Sequence, residues 1–168
     1  GGECSVLENL QGRPRVFLAS NYEGPPDVFG EEPKTNQERV LREAERRKLI
    51  FDKLLSFDFD FKNKLVLEVP SSVSPQFGVG SVEVLEYKPQ NVVVKTSSNQ
   101  PKLLFLSDNY FAGWEAEVDG NRVPILRSNY TFRSVALTPG EHTVRFFYEN
   151  RNFKVGLILS GVSLMIII

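Results

Sequence analysis

Cysteine is almost missing from this 168-residue chain. Cys4 is the only one, which excludes an internal disulfide and any metal site built from several thiolates. Histidine is equally scarce: with His142 alone, no histidine-rich metal site and no His pair can exist. An excess of charge of one sign is missing too. Twenty basic residues stand against 21 acidic ones, a net charge of −1, so no global field favours nucleic acid or an anionic surface. No phosphate-cradling loop or dinucleotide glycine motif occurs, and Asp58-Phe59-Asp60 lacks the Gly and Glu spacing of a calcium loop. A Ser-His-Asp triad would have to recruit Ser107 or Ser134 without a nucleophile elbow. Met165 is the only methionine, and no secretory signal opens the chain. The chain therefore reads as a piece of something longer, not itself catalytic.

What the chain has in abundance is short apolar segments separated by turn residues. Arg15 to Ala19 is a first strand candidate, and Asn21 to Pro33, with three prolines and two glycines, is a loop. Thr35 and Glu38 have capping-box spacing. They open an amphipathic helix over about 36–55, an insertion (about 35–56) whose apolar face carries Val40, Leu41, Ala44, Phe51, Leu54 and Leu55 and is expected to lie on the body of the domain. Its mixed charges, Glu43 to Lys48, read as a solvated face. From Lys64 onward the period becomes that of strands: Leu65 to Val69, Val82 to Tyr87, Val92 to Thr96, Leu103 to Leu106, Trp114 to Val118, Val123 to Leu126, Phe132 to Leu137 and His142 to Tyr148. Asp119-Gly120 predicts a tight hairpin turn with positive φ. Thr138-Pro139-Gly140-Glu141 predicts a type II turn. Strands at this spacing predict a mainly β fold, an antiparallel β-sandwich or jelly-roll-like domain over 1–150 with one helix.

Val155 to Ile168 carry no charge. Fourteen apolar residues do not span a bilayer, and a C-terminal core segment is the plain alternative. The run is still apolar at Ile168, so residues 153–168 are expected to be the start of a transmembrane helix. Arg151 and Lys154 would mark the water–lipid boundary, with Tyr148 and Phe153 near the headgroups.

The run Leu103 to Tyr148, LLFLSDNYFAGWEAEVDGNRVPILRSNYTFRSVALTPGEHTVRFFY, followed shortly by FKVGLILSG, resembles the end of the YfhO-type bacterial membrane proteins. Looser matches lie at Glu8 to Leu18 and at Phe59 to Glu68. The resemblance implies an extracytoplasmic β domain on the cytoplasmic membrane, part of a polytopic parent similar to C-type glycosyltransferases that modify cell-wall polymers. The parent would use a polyprenyl-phosphate sugar donor. This part of the chain would need no cofactor, and its partners would be the bilayer through the C-terminal helix, the rest of the parent and a glycan. Its role would be to position the acceptor or to cover the active site. The other reading is a membrane-tethered carbohydrate-binding or adhesion sandwich without any transferase.

Two polar-aromatic groups are candidates for ligand contact. Asp108, Asn109, Tyr110 and Trp114 supply an aromatic face and planar polar groups of the kind a sugar ring takes. Trp114 serves equally to anchor a sandwich core. Arg127, Asn129, Tyr130 and Arg133 are suited to a phosphate or an acidic polymer, or to bonding between strands. Asn129-Tyr130-Thr131 also has the N-x-T pattern.

Overall fold

A computed structural model of the chain describes residues 14–24, 35–69, 71–149 and 160. Eleven strands, β1 (Val16–Ala19), β2 (Asn21–Glu23), β3 (Lys64–Val66), β4 (Gly80–Lys88), β5 (Asn91–Ser98), β6 (Lys102–Asn109), β7 (Trp114–Val118), β8 (Asn121–Val123), β9 (Leu126–Ser128), β10 (Phe132–Leu137) and β11 (Gly140–Tyr148), accompany one helix, α1 (Asn36–Leu54). Asp119 and Gly120 have φ of 53° and 79°, the left-handed pair that closes the β7–β8 hairpin. The returning strand is shorter than its apolar run, because it ends before Pro124 and resumes as β9 at Leu126. Proline has no amide to give to a ladder.

The two large sheets run β1-β6-β10-β9 and β4-β5-β11-β7-β8, all antiparallel. β5 and β6 are consecutive but lie in different sheets, and so are their sheet partners β11 and β10. A two-strand ribbon thus folds from one sheet to the other, the wrap of a jelly roll. The inner faces meet in a core of Val92, Val94, Ala116, Val144 and Phe146 against Val16, Leu104, Leu106, Val135 and Leu137. Alternation in β11 works as its sequence implies: Val144 and Phe146 are buried, whereas Thr143 and Arg145 are exposed.

The four-stranded sheet is covered on its other face as well. Leu103, Phe105, Ala19 and Leu126 pack there against Leu65 and Leu67. β3 pairs with β2 in parallel, the one departure from the expected antiparallel pattern, and carries α1 on its outer side through Ile50, Phe59 and Val66. The expected capping box is present, with Thr35 Oγ1 accepting from the Glu38 amide. The expected buried face of α1 is not. Ile50 is its one buried residue, and Leu54 is half-buried. Val40, Leu41, Phe51 and Leu55 are exposed, because the small patch beneath α1 meets only the C-terminal half of the helix, on the side of Ile50.

At the β6 start, Lys102 is buried without a carboxylate among its hydrogen-bond partners. Its Nζ donates to Ser20 Oγ (2.6 Å) and to the carbonyls of Gln76 (2.8 Å) and Gly78 (3.2 Å). Burial pulls its pKa below the ordinary 10.5. Between the lowered folded value and 10.5 the unfolded chain binds more protons, so stability rises with pH across that window. Lys102→Met should remove that rise. Urea midpoints measured from pH 8 to 10 are expected to diverge for the two proteins, and parallel curves would refute the cost assigned to this charge.

Candidate functional site

One end of the sandwich gathers nearly all the polar-aromatic residues singled out by sequence. β6 runs into this end, and residues 104, 106 and 108 share its inner face. Leu104 and Leu106 are core, and Asp108 follows them to the rim. On the neighbouring β10, Arg133 shares the inner face with Val135 and Leu137 and is only 2% exposed. Its Nη2 lies 3.1 Å from Asp108 Oδ2, and its Nε donates to the Asp108 carbonyl at 3.3 Å. The guanidinium stacks on Trp114 of the opposite sheet, with Cζ 3.7 Å from the ring centroid. Burial pulls its pKa down and the Asp108 carboxylate opposes that. Arg133 Nη1 and Trp114 Nε1 are buried without hydrogen-bond partners.

Two residues not singled out by sequence complete this group. The Tyr87 hydroxyl donates to the Asp108 carboxylate (2.7 Å), and the Arg15 Nε lies 3.7 Å from it. Burial, then the Asp108 hydrogen bond, raises the Tyr87 pKa. Tyr87 points inward because β4 has a bulge: the pairing passes from Val84↔Val94 to Glu86↔Val93. The extra residue, Leu85, flips the alternation, so Tyr87 joins Val82 and Val84 on the inner face. Simple alternation would have placed Glu86 there. Trp114 also meets Tyr148 (5.8 Å) and Phe111 (6.4 Å). Gly113, at φ 100°, sits beside them, where an added Cβ would lie 2.6 Å from the Tyr148 ring.

The second group lies on the other face of the same sheet. Asn129 is buried, with φ 47°. It clasps β3: the Val66 amide donates to Asn129 Oδ1 (2.8 Å), and the Asn129 amide donates to the Val66 carbonyl (2.7 Å). This clasp occupies the side chain of the N-x-T asparagine. Arg127 Nε donates to the Tyr130 carbonyl (3.1 Å) and lies 3.1 Å from Glu68, whose pKa burial raises against the pull of Arg127. The Tyr130 ring lies 5.2 Å from that of Phe51, with the Arg47 guanidinium 5.5 Å from its centroid. The groups meet at one seam, where the Tyr110 amide donates to the Thr131 carbonyl (2.6 Å) and Thr131 Oγ1 to Asn109 Oδ1 (3.2 Å). Beside the seam an apolar cleft of about 430 Å³ opens between α1 and the four-stranded sheet. Phe51, Leu54 and Phe61 form one wall, and Phe105, Ser107 and Tyr130 another.

Of the eight residues singled out, the half-buried Asp108 and Trp114 form one cluster around the buried Arg133, and Asn129 holds the fold. Asn109, Tyr110, Arg127 and Tyr130 reach the surface around the seam. His142 lies at the opposite end, near Ser107 and Ser134 in neither direction. Its Nδ1 is 2.7 Å from Asp119 and its Nε2 is 3.2 Å from Thr138 Oγ1, a clasp between two turns. Hydrogen bonds from His142 and the Thr143 amide hold the Asp119 pKa below its ordinary value. Among the described residues no three His, Cys, Asp or Glu side chains come together to hold a metal ion.

Strand β11 leaves the sandwich at this same end, with the Glu149 amide donating to the Gly113 carbonyl (2.7 Å). Most of the residues that build it lie in a stretch similar to a known family: residues 74–160, just over half of the chain, match the family described as bacterial membrane protein YfhO. The chain belongs to the YfhO family. That membership makes it part of a bacterial membrane protein. The YfhO match begins ahead of β4 and takes in both sheets from there, so the looser likenesses at Glu8 to Leu18 and Phe59 to Glu68 fall outside it. No curated protein and no solved structure matches the chain. No helix among the described residues is long and apolar enough to cross a membrane. The expected transmembrane start at 153–168 lies outside the described residues except for Ser160, which is helical and exposed.

Proposed function

We propose that residues 1–150 are an extracytoplasmic, non-catalytic β domain of a polytopic YfhO-family glycosyltransferase. The domain positions a cell-wall polymer acceptor or covers the active site, which lies elsewhere in the parent with its polyprenyl-phosphate sugar donor. The observation that carries this reading is the shared end. β11 exits beside Gly113 and Trp114, so a tail entering the bilayer from there sets the seam of Asn109, Tyr110, Arg127 and Tyr130 close to the membrane. Loops held on a rigid scaffold are where binding residues collect. Here the cluster around the buried Arg133 and the Asn129 clasp supply the rigidity, and the exposed members of both groups supply the contacts.

One such seam would bind a glycan weakly, with millimolar Kd, about 4 kcal/mol. Membrane attachment compensates by raising the effective concentration. Titrating wall-polymer fragments into the full chain in detergent, followed by amide NMR, is expected to move Asn109, Tyr110, Arg127 and Tyr130. Shifts on other faces only, or none at millimolar ligand, would remove the acceptor-positioning role. Wall-polymer binding by a chain whose gene encodes no further membrane spans would instead favour a tethered carbohydrate-binding sandwich.

A further inference from the structure

Helix α1 carries an apolar stripe that the sandwich meets only at Phe51, which packs on Tyr130. Val40 and Ala44, and one turn further on Phe51 and Leu55, lie along one side of the helix, with Arg47 and Lys48 at the turn between the two pairs and Leu41 flanking the first. Val40 is 69% exposed, Leu41 60% and Leu55 81%. Phe57, wholly exposed just past the helix end, extends the patch. Soluble surfaces carry single apolar side chains without consequence, but several grouped on one side of a helix mark a contact.

The direction of the stripe is set by its neighbours. Phe51, within the stripe, and Arg47, at its border, both pack on Tyr130, whereas Lys53, on the other side of the helix, is bonded to Glu23 of β2. The stripe therefore lies on the Tyr130 side of α1. The Tyr130 turn is tied to Tyr110 through Thr131, Phe111 packs on Tyr148, and Gly113 accepts from Glu149. The exposed side of α1 and the exit of β11 are thus at one end of the molecule. The stripe is bordered by cations: Arg47 lies on one side, and Lys48 lies between Leu41 and Leu55 in their seven-residue column. Across α1 as a whole six basic side chains stand against four acidic ones.

We infer that α1 is an interfacial helix that rests on the bilayer beside the tail, with Val40, Leu41, Phe51, Leu55 and Phe57 at the depth of the headgroup–acyl boundary. Lys48 then meets lipid phosphates, beside Arg47, which lies 3.9 Å from Glu43. An apolar face bordered by Lys and Arg, on a helix of low net hydrophobicity, is the pattern of helices that lie in a membrane surface. The aromatic cleft beside it, walled by Phe51 and Phe61, belongs to the same surface. Membership of a membrane protein family supplies the partner, and continuity with the tail exit supplies the placement. The inference rests on the tail entering the bilayer.

Site-directed spin labelling separates the two ideas. On a Cys4→Ser background, single labels would be placed through Leu41→Cys, Leu55→Cys, Val79→Cys and Ser160→Cys. The full chain would be reconstituted in vesicles of phosphatidylglycerol and phosphatidylcholine. Labels at 41 and 55 are expected to collide readily with oxygen and little with a water-soluble nickel chelate. The label at 79, 80% exposed and at the opposite end, should show the reverse. If 160 reports lipid while 41 and 55 match 79, the interfacial helix is refuted and the membrane placement of the tail stands. Labels at 41 and 55 shielded from both reagents would mean that protein covers the stripe, which also overturns the inference. A label at 160 exposed to the chelate would sink the membrane placement itself.

Discussion

Arg133→Ala is expected to lower the unfolding free energy by about 3–5 kcal/mol, the range for stripping one partner from a buried ion pair. The substitution removes the stack on Trp114 and leaves the half-buried Asp108 carboxylate with Tyr87 and the more distant Arg15. Arg133→Met should lose less, because an apolar chain of similar length refills the space and no buried Nη1 goes unbonded. Adding Asp108→Asn to Arg133→Met should recover part of the loss, since a neutral amide still accepts from Tyr87. Trp114 is the only tryptophan, so its emission during urea unfolding of the full chain in detergent reports on this cluster directly. If both Arg133 variants cost under about 1 kcal/mol, an ordinary surface pair, the guanidinium does not seat Trp114.

Asn129 should produce the next largest effect. In Asn129→Ala the buried Val66 amide loses its acceptor, which costs about 1–3 kcal/mol. Alanine also tolerates the left-handed backbone less well, by about 1–2 kcal/mol. Asn129→Gly keeps the backbone and loses only the acceptor, so it should lie between wild type and Asn129→Ala. Hydrogen exchange gives the local signature, with the Val66 amide predicted to exchange much faster in both variants. Unchanged protection at Val66 would show that β3 is held by its apolar contacts alone, and equal losses for Ala and Gly would show that the φ of 47° stores no strain.

The β elements were legible in sequence because turn chemistry and alternation act over a few residues. Asp119-Gly120 and the alternating β11 are cases where local preference and tertiary fold agree. Helix α1 was legible as a helix but not in its contacts: periodicity shows which side chains share a side, not what lies against them. The body of the domain meets α1 at Ile50, Leu54 and Phe51, and the rest of the apolar stripe faces outward. Tyr87 was hidden by one extra residue at Leu85, and no spacing rule signals a bulge. The burial of Arg133 was equally opaque, because its cover comes from Trp114 and Asp108, residues brought close only when two sheets meet. What the sequence did carry for the site was its location: Asp108 to Trp114 and Arg127 to Arg133 are separate connections that the fold brings to one end.

The central place of β11 has a mechanical consequence. It is paired on one side with β5 from Gly140 to Phe147 and on the other with β7 from Val144 to Tyr148, and it is the strand that continues into the tail. A pull along the tail therefore loads both ladders in shear, so their hydrogen bonds resist together instead of opening one after another as at a peeled edge. Such a joint transmits displacement rather than absorbing it. A shift of the tail moves Tyr148 against Trp114, and through the stacked guanidinium of Arg133 it reaches Asp108 and the rim. Were the tail held, the sandwich would follow its movements as a stiff lever, with the seam of polar and aromatic side chains at the end nearest that joint.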